Sequence, residues 1–285
     1  MSTRTFLVFG DLHGRILHAF KLAAVWAREQ DRVVDGILQV GDLGYFPDLT
    51  RLDKATRRFA KDDLTELGAQ DMIAQNPLAD EIFNDPHCPA TLWFTAGNHE
   101  DHDALIKGGE AHSRSADFPV DDYKRVFCIR DGNIVGGNQP PRIAAIWGID
   151  GDGLNCRKNY GERAYIRQQS ADQLLAQPFD VLLSHDAPRD AKREGYGSEI
   201  LAALIRLAQP AFAFFGHYHG EGSRVEGDFG ATEVYHVSGM ELSGRPGCAE
   251  PGSVGVLTWD DENKHFEFLD RDWLKTFTRH NWRYR

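Results

Sequence analysis

The stretch AFAFFGHYHG, residues 211–220, is an apolar run that stops at a glycine and then places His217 and His219 one residue apart. In an extended chain, side chains at positions i and i+2 lie on the same side, so both imidazoles can face one object beyond the strand end. A continuous apolar run of this length indicates a strand covered on both faces. The stretch therefore predicts a buried strand whose carboxyl end faces a metal, a phosphate or no ligand.

The same arrangement, an apolar run before a turn rich in Gly, Asp, Asn or His, recurs along the chain. The other examples are TFLVFG before DLHG, GILQVG before DLG, TLWFTAG before NHED and DVLLS before HDAP, which begin at residues 5, 36, 91 and 180. Amphipathic patterns between the runs predict helices at 14–30, 51–75, 162–177 and 198–209. Alternating strands and helices predict parallel strands with right-handed crossovers, and such sheets bind ligands at the carboxyl ends of their strands.

Five further segments alternate or are β-branched and are joined by glycine-rich turns, which predicts antiparallel additions to the sheets. These segments are 124–130, 141–148, 232–238, 253–259 and 265–270. The sequence shows no linker, low-complexity tract or internal repeat. We therefore predict an α/β fold of two β layers flanked by helices, in one domain covering residues 1–285, with surface loops at 148–161 and 238–253 that are long enough to be functional.

The charge balance and the cysteines narrow the class of protein. The 285 residues include 43 acidic and 32 basic side chains, a net charge of −11, which disfavours non-specific binding to nucleic acid or to an anionic membrane. The four cysteines are widely spaced and include no C-x-x-C pair, unlike a zinc ribbon or a disulfide framework. No stretch reaches the roughly 20 apolar residues of a membrane helix, and the first apolar run is too short for a signal peptide. We predict a soluble, cytoplasmic protein with free thiols.

Polar side chains follow each of the five buried runs. They are Asp11, His13, Asp42, Asn98, His99, His185, His217 and His219. Carboxylates and neutral imidazoles together bind borderline divalent metals, whereas oxygen-only sets suit magnesium and calcium. The set is too large for one ion, and two ions about 3.5–4 Å apart need a carboxylate between them to offset their repulsion. Asp42 is the expected bridge, although Asp11 and Asp42 are also suitable caps for the turns that follow them.

The ordered motifs resemble the signature of the calcineurin-like metallophosphoesterase superfamily. They are GDLHG (10–14), GDLG (41–44), GNHE (97–100), SHDAP (184–188) and GHYHG (216–220), and the resemblance extends over about residues 5–240. It implies two mixed β-sheets packed between helices, a four-layer sandwich. It also implies two divalent metal ions, for which manganese, iron and zinc are the expected metals.

The resemblance also implies roles for individual residues. One metal would be held by Asp11, His13, Asp42 and His219. The other would be held by Asp42, Asn98, His185 and His217.

His99 is not among these ligands. By the same resemblance it would contact the phosphate or protonate the leaving oxygen, a form of help worth ~10² to 10⁴ in rate. Glu100 and Asp101 are candidates to orient its imidazole, the alternative being that they cap the next helix, as carboxylates after a turn commonly do. Arg15 and Arg189 follow ligand motifs and are candidates for bidentate contact with the substrate phosphate.

The expected function is hydrolysis of a phosphodiester or a phosphomonoester by a metal-activated water, with a small molecule or nucleotide as substrate. The segment after GDLG lacks the Asp-Arg-Gly of protein serine/threonine phosphatases, which argues against that activity. PRIAAIWGIDG (141–151), NYGER (159–163) and SHDAPR (184–189) resemble RNA lariat debranching enzymes and their relatives, although those typically have Cys at the position of Asp11. The alternatives are therefore an RNA-processing phosphodiesterase and a non-catalytic interaction scaffold on the same fold.

Overall fold

The computed structural model describes residues 3–137, 139–151, 161–240 and 247–285. Within these ranges the chain forms thirteen strands. They are β1 (Arg4–Phe9), β2 (Gly36–Gln39), β3 (Leu92–Phe94), β4 (Asp117–Pro119), β5 (Val126–Ile129), β6 (Asn133–Val135), β7 (Ile143–Ile146), β8 (Val181–Ser184), β9 (Phe212–Phe215), β10 (Ser223–Val225), β11 (Glu233–His236), β12 (Val254–Trp259) and β13 (Lys264–Phe268).

The strands form two mixed sheets. The seven-stranded sheet has the order β13-β12-β1-β2-β3-β5-β4, and the six-stranded sheet has the order β10-β11-β9-β8-β7-β6. In the first sheet β1, β2, β3 and β5 are parallel, whereas in the second β11, β9, β8 and β7 are parallel. The predicted pair of mixed sheets with a parallel centre is confirmed.

Three of the five segments predicted as antiparallel additions pair differently. Segments 124–130, 141–148 and 232–238 form β5, β7 and β11, and each is parallel to a central strand on one side. Only their other neighbours, the short strands β4, β6 and β10, are antiparallel. Strands of three residues carry too little pattern to reveal their pairing. The last two segments form β12 and β13 and pair antiparallel as predicted.

Eight α-helices lie within the described ranges. They are α1 (Ile16–Gln30), α2 (Lys54–Phe59), α3 (Gln70–Ile73), α4 (Pro77–Phe83), α5 (His102–Ala111), α6 (Gln168–Leu175), α7 (Glu199–Ala208) and α8 (Arg271–Leu274). The predicted helices at 14–30 and 198–209 are confirmed as α1 and α7.

The two other predicted helices are shorter than expected. The segment 51–75 is broken into α2, a 3₁₀ turn and α3, because Asp53 and Asp63 each accept a backbone hydrogen bond and begin a new short helix. In the segment 162–177, a 3₁₀ turn at Glu162–Ala164 is followed by an extended residue, and α6 begins only at Gln168. Both segments have an apolar pattern, but their caps and breaks set the actual bounds.

Three layers of apolar contacts hold the sheets and helices together. Side chains from both sheets, such as Phe6 and Phe214, fill the space between them. Phe20 of α1 packs on the outer face of the seven-stranded sheet, and Leu201 of α7 packs on that of the six-stranded sheet. Each fully buried side chain of this size contributes about 1.5–3 kcal/mol. The order helix, sheet, sheet, helix confirms the four-layer sandwich.

Two further predictions concern membrane-spanning helices and the cysteines. None of the described helices combines the length and the apolar character needed to cross a bilayer. Cys88, Cys128 and Cys248 are free thiols, while Cys156 lies outside the described residues. Parts of the two loops predicted as functional also lie outside them, namely residues 152–160 and 241–246.

Candidate metal centre

The polar residues that follow β1, β2, β3, β8 and β9 come together at one cleft. Its volume is about 690 Å³, and seven of the eight residues line it: Asp11, His13, Asp42, Asn98, His99, His217 and His219. The eighth, His185, is completely buried, and its Nε2 lies 3.2 Å from Oδ2 of Asp42. The carboxyl ends of strands from both sheets therefore supply one site, as the strand-end pattern predicts.

Backbone hydrogen bonds and unusual backbone angles fix the turns that carry these side chains. The backbone N–H groups of Leu12 and His13 both donate to the carbonyl oxygen of Asp42, at 3.0 and 2.9 Å, which joins the first two turns directly. His13, Asp42 and His217 have φ values of 43°, 51° and 67°. Non-glycine residues adopt this left-handed region at a cost, and such residues concentrate at functional sites.

Two glycines let the neighbouring turns approach the carboxylates closely. A Cβ atom on Gly97 would lie 2.2 Å from Oδ1 of Asp42, and one on Gly216 would lie 2.1 Å from Oδ1 of Asp11. The same oxygens accept hydrogen bonds from the next turns, from the N–H of His99 at 2.7 Å and of His217 at 3.2 Å. Glycine is thus required at both positions because any side chain would displace a carboxylate.

Two groups of side chains place three possible ligand atoms within 4.8 Å of one another. One group is Asp42, His185 and His217, and the other is Asp11, His13 and Asp42. Asp42 belongs to both groups, which is the position predicted for a bridging carboxylate. Each group contains three of the four ligands that the resemblance implies, and the two remaining predicted ligands, Asn98 and His219, line the same cleft.

Unsatisfied polar atoms show that this donor set fits metal ions. Both side-chain polar atoms of Asn98 are buried and have no hydrogen-bond partner among the described residues. Nε2 of His185 is also buried, and its 3.2 Å contact with Oδ2 of Asp42 falls short of hydrogen-bond geometry. Such a group costs about 1–3 kcal/mol when nothing binds it. Coordination of a cation would satisfy the amide oxygen of Asn98 and the imidazole nitrogen of His185. The mixture of imidazole and carboxylate ligands suits borderline divalent metals.

The ionisable side chains of the cluster shift one another's pKa values. Burial on its own would raise the pKa of Asp42, but the imidazoles of His185 and His99 hold it well below its usual range. Burial opposes the charge on His185 as well, yet Asp42 and Asp11 raise its pKa to about 10. Burial and the adjacent His185 lower the pKa of His217 to about 4. Because a ligating imidazole must be neutral, metal binding at His185 is expected to release a proton.

A carboxylate that the sequence analysis missed orients His99. Nδ1 of His99 lies 2.6 Å from Oδ2 of Asp53, which also caps α2 by accepting a hydrogen bond from the N–H of Thr56 at 2.7 Å. Burial lowers the pKa of His99, but Asp42 and the contact with Asp53 outweigh it and raise the value to about 9. Asp53 therefore stabilises the protonated imidazole and fixes its orientation.

The prediction that Glu100 or Asp101 orients His99 is wrong. Glu100 accepts hydrogen bonds from the N–H groups of Leu43 and Tyr45, both at 2.7 Å, and so holds the loop after Asp42. Burial and the charge of Asp42 raise the pKa of Glu100 to about 8, against these two hydrogen bonds.

Asp101 instead begins α5, where its carboxylate accepts a hydrogen bond from the N–H of Ala104 at 3.2 Å, and it pairs with Arg51 at 2.7 Å. Asp53 is not among the predicted site residues because it lies inside a segment predicted as one helix. The available signal was its capping pattern, an Asp with Thr56 three residues later at the start of an amphipathic stretch.

The two arginines predicted to contact phosphate are engaged by the protein. Arg15 lines the cleft, but its side chain is only 4% exposed, and Nη2 lies 2.9 Å from Asp63 and 3.1 Å from Glu66. Arg189 has Nε 3.1 Å from Glu199 and donates from Nη1 to a backbone carbonyl at 2.8 Å. Their contact with substrate stays a prediction.

A buried carboxylate beside His185 ties three loops together. Oδ1 of Asp186 accepts a hydrogen bond from the hydroxyl of Tyr218 at 2.8 Å, and Oδ2 accepts one from the N–H of Asp150 at 2.6 Å. Tyr218 lies between the two histidines of GHYHG, so this tether connects the loop after β9 with the loop after β8. Asp186 and Tyr218 both lie inside ligand motifs, but the motifs do not predict this role for them.

Comparison with known proteins agrees with the fold and the motifs. Residues 4–221 match the sequence profile of the family described as calcineurin-like phosphoesterase. No curated protein matches the chain. Among solved structures, the protein TT1561 of Thermus thermophilus is 14% identical with a TM-score of 0.50, over 94% of this chain and 100% of that chain.

Two other solved structures are similar over most of their length. A predicted phosphoesterase from Streptococcus pneumoniae TIGR4 is 13% identical, with a TM-score of 0.41 over 95% of this chain and 92% of that chain. GAP50, the anchor in the inner membrane complex of Plasmodium, is 13% identical, with a TM-score of 0.49 over 94% of this chain and 84% of that chain. At these identities a structural likeness concerns the fold alone.

Proposed function

The chain belongs to the calcineurin-like phosphoesterase family, and from this premise we propose that it is a dinuclear metal-dependent hydrolase of phosphoester bonds. Family membership supports metal-dependent phosphoester hydrolysis at a coarse level. The observation that carries the finer proposal is the presence of Asp42 in both groups of ligand atoms. The proposed substrate is a phosphodiester or phosphomonoester of a small molecule or nucleotide.

The proposed ligands divide between the two ions as the sequence motifs imply. One ion would be held by Asp11, His13, Asp42 and His219, and the other by Asp42, Asn98, His185 and His217. When bound, divalent ions of manganese, iron or zinc lower the pKa of water and offset negative charge on phosphoryl oxygens. The carboxylate of Asp42 would reduce the repulsion between the ions, because it belongs to both donor groups.

His99 is the proposed general acid. Asp42 and Asp53 both raise the pKa of His99, and the contact with Asp53 does not depend on the charge of the metal ligands, so the protonated ring can donate to the leaving oxygen as the phosphoester bond breaks. Asp53 holds Nδ1, which makes Nε2 the nitrogen that donates. The N–H of His99 also fixes Oδ1 of Asp42 at 2.7 Å, so one turn positions both the acid and the bridging carboxylate.

Hydrolysis of generic esters tests the proposal directly. Protein loaded with manganese, zinc or iron is assayed with bis-p-nitrophenyl phosphate and p-nitrophenyl phosphate, before and after chelation, beside the His99→Ala variant. We expect turnover that chelation removes and metal restores, and a loss of about 10² or more in kcat for His99→Ala with unchanged metal content.

Two outcomes decide against the proposal or refine it. Metal-loaded protein that hydrolyses neither ester faster than the chelated protein contradicts it and favours the interaction scaffold. Faster turnover of 2′,5′-branched RNA than of both generic esters supports the RNA-processing alternative, and equal or slower turnover counts against that alternative.

A further inference from the structure

One wall of the cleft, formed by residues 53–66, carries an exposed aromatic ring. Phe59, the last residue of α2, lines the same cleft as the proposed metal ligands, and 48% of its surface is exposed. Histidines aside, it is the one aromatic residue among the described residues that line this cleft. A single exposed apolar side chain is ordinary on a surface, but within a ligand cleft an aromatic side chain is a typical binding element.

The neighbouring Arg58 adds a positive charge to this wall. Its guanidinium carbon lies 4.4 Å from the centroid of the Phe59 ring, and it also lines the cleft. The other two arginines of the cleft, Arg15 and Arg279, lie 2.9 and 3.7 Å from the carboxylate of Asp63. Within the described residues Arg58 has no carboxylate at ion-pair distance, so its charge is the least offset of the three and attracts an anionic substrate.

The helix that carries this pair also positions the proposed general acid. α2 is capped by Asp53, which holds His99, and it ends at Phe59. At a rise of 1.5 Å per residue, the two ends of this helix are roughly 9 Å apart. A ligand with its phosphate beside His99 can therefore extend along the wall to Phe59, as the base of a nucleotide extends from its phosphate.

We propose that Arg58 and Phe59 form a subsite for an aromatic ring system carried by the phosphoester, such as a nucleobase. The ring stacks on Phe59, and the guanidinium of Arg58 attracts the anionic part of the same ligand. The inference rests on the proposed function for the position of the phosphate. It goes beyond that function because it selects esters with an aromatic group over esters without one.

Binding to a slow variant separates the subsite from the chemistry. Adenosine 5′-monophosphate and ribose 5-phosphate differ only by the base, and calorimetry with metal-loaded His99→Ala protein measures their affinities without extensive turnover. We expect the nucleotide to bind about 10-fold or more tightly than the sugar phosphate, and Phe59→Ala in the same background to remove that preference. Arg58→Gln is expected to weaken both ligands.

Leu64→Ala is the matched control, since Leu64 is 76% exposed nearby and is not part of the cleft lining. It is expected to keep the preference for the base. Equal affinity for the two ligands, or a preference that survives Phe59→Ala, overturns the subsite. If the protein prefers the nucleotide but hydrolyses no ester, the result supports the subsite and contradicts the proposed hydrolase activity.

Discussion

The floor and the wall of the cleft are built differently. The floor, meaning the turns after β1, β2, β3, β8 and β9, holds its side chains by burial and by hydrogen bonds between turns, and Asp42 is only 2% exposed. The wall, meaning residues 53–66, consists of short capped helices and carries the exposed ring of Phe59. The proposed metal chemistry therefore depends on the floor, whereas the orientation of His99 and the proposed choice of substrate depend on the wall.

Removing the shared carboxylate of the floor should have the largest effect. We expect Asp42→Asn to lose metal from both positions and to lower kcat/KM by about 10³ or more, because several kcal/mol of charge stabilisation disappear. Elemental analysis and ester hydrolysis check this. Asp62→Asn, an exposed carboxylate in the same cleft, is the control. An Asp42→Asn protein with normal metal content and activity contradicts the bridge.

A smaller effect is expected in the wall. Asp53→Asn should reduce kcat about 10-fold to 100-fold with unchanged metal content, because Asn still caps α2 but cannot stabilise the protonated His99. The double variant Asp53→Asn with His99→Ala should be no slower than His99→Ala alone, since residues that act as one unit are not additive. Independent, multiplying losses would show that Asp53 does not act through His99.

The third prediction concerns the tether, the hydrogen bond between Tyr218 and Asp186 that connects two turns of the floor. Tyr218→Phe removes the hydrogen bond to Asp186 but keeps the ring, and we expect metal affinity to fall about 10-fold because the loop bearing His217 and His219 is less constrained. Competition with a metal-binding dye measures the affinity. The exposed Tyr284→Phe variant serves as the control. Unchanged affinity after Tyr218→Phe would mean that the tether does not position the ligands.

The last contrast concerns the stability of the fold rather than activity, and it involves the buried imidazole of His18. Burial and the charge of Arg15 lower the pKa of His18 from 6.5 to about 3, and its ring stacks on Trp282 with centroids 3.5 Å apart. The folded state therefore favours the neutral ring, so this stabilisation is complete above pH 6.5 and is lost as the pH falls towards 3. His185 is also buried but faces carboxylates, which raise its pKa instead.

Chemical unfolding between pH 7 and pH 4 checks the prediction for His18. His18→Gln should flatten the decline in the free energy of unfolding over this range, whereas the same change at the exposed His265 should not. An identical decline in wild-type protein and His18→Gln would show that His18 does not contribute to it.

The floor could be predicted from sequence because its signals are local. Each strand is a short apolar run, four of the five exits contain a glycine, and the ligand follows within three residues, as in GDLHG and GHYHG. The assignment of β5, β7 and β11 to parallel pairs could not be predicted, because pairing depends on neighbours that are remote in sequence.

The wall could not be predicted for the same physical reason. Asp53 meets His99 across 46 positions of sequence, and neither residue type nor spacing indicates that contact. Likewise, the ion pairs of Arg15 with Asp63 and Glu66 depend on where a broken helical segment folds back onto the sheet. Helical periodicity in residues 51–75 was a correct signal for helix, but the caps that break it determine what faces the cleft.

The most direct test of the central claim is anomalous X-ray diffraction from crystals of the protein soaked with manganese. Two peaks are predicted, both in contact with the carboxylate of Asp42, one beside Asp11 and His13 and the other beside His185 and His217. A single peak, or peaks away from Asp42, would contradict the account of a bridged pair of ions.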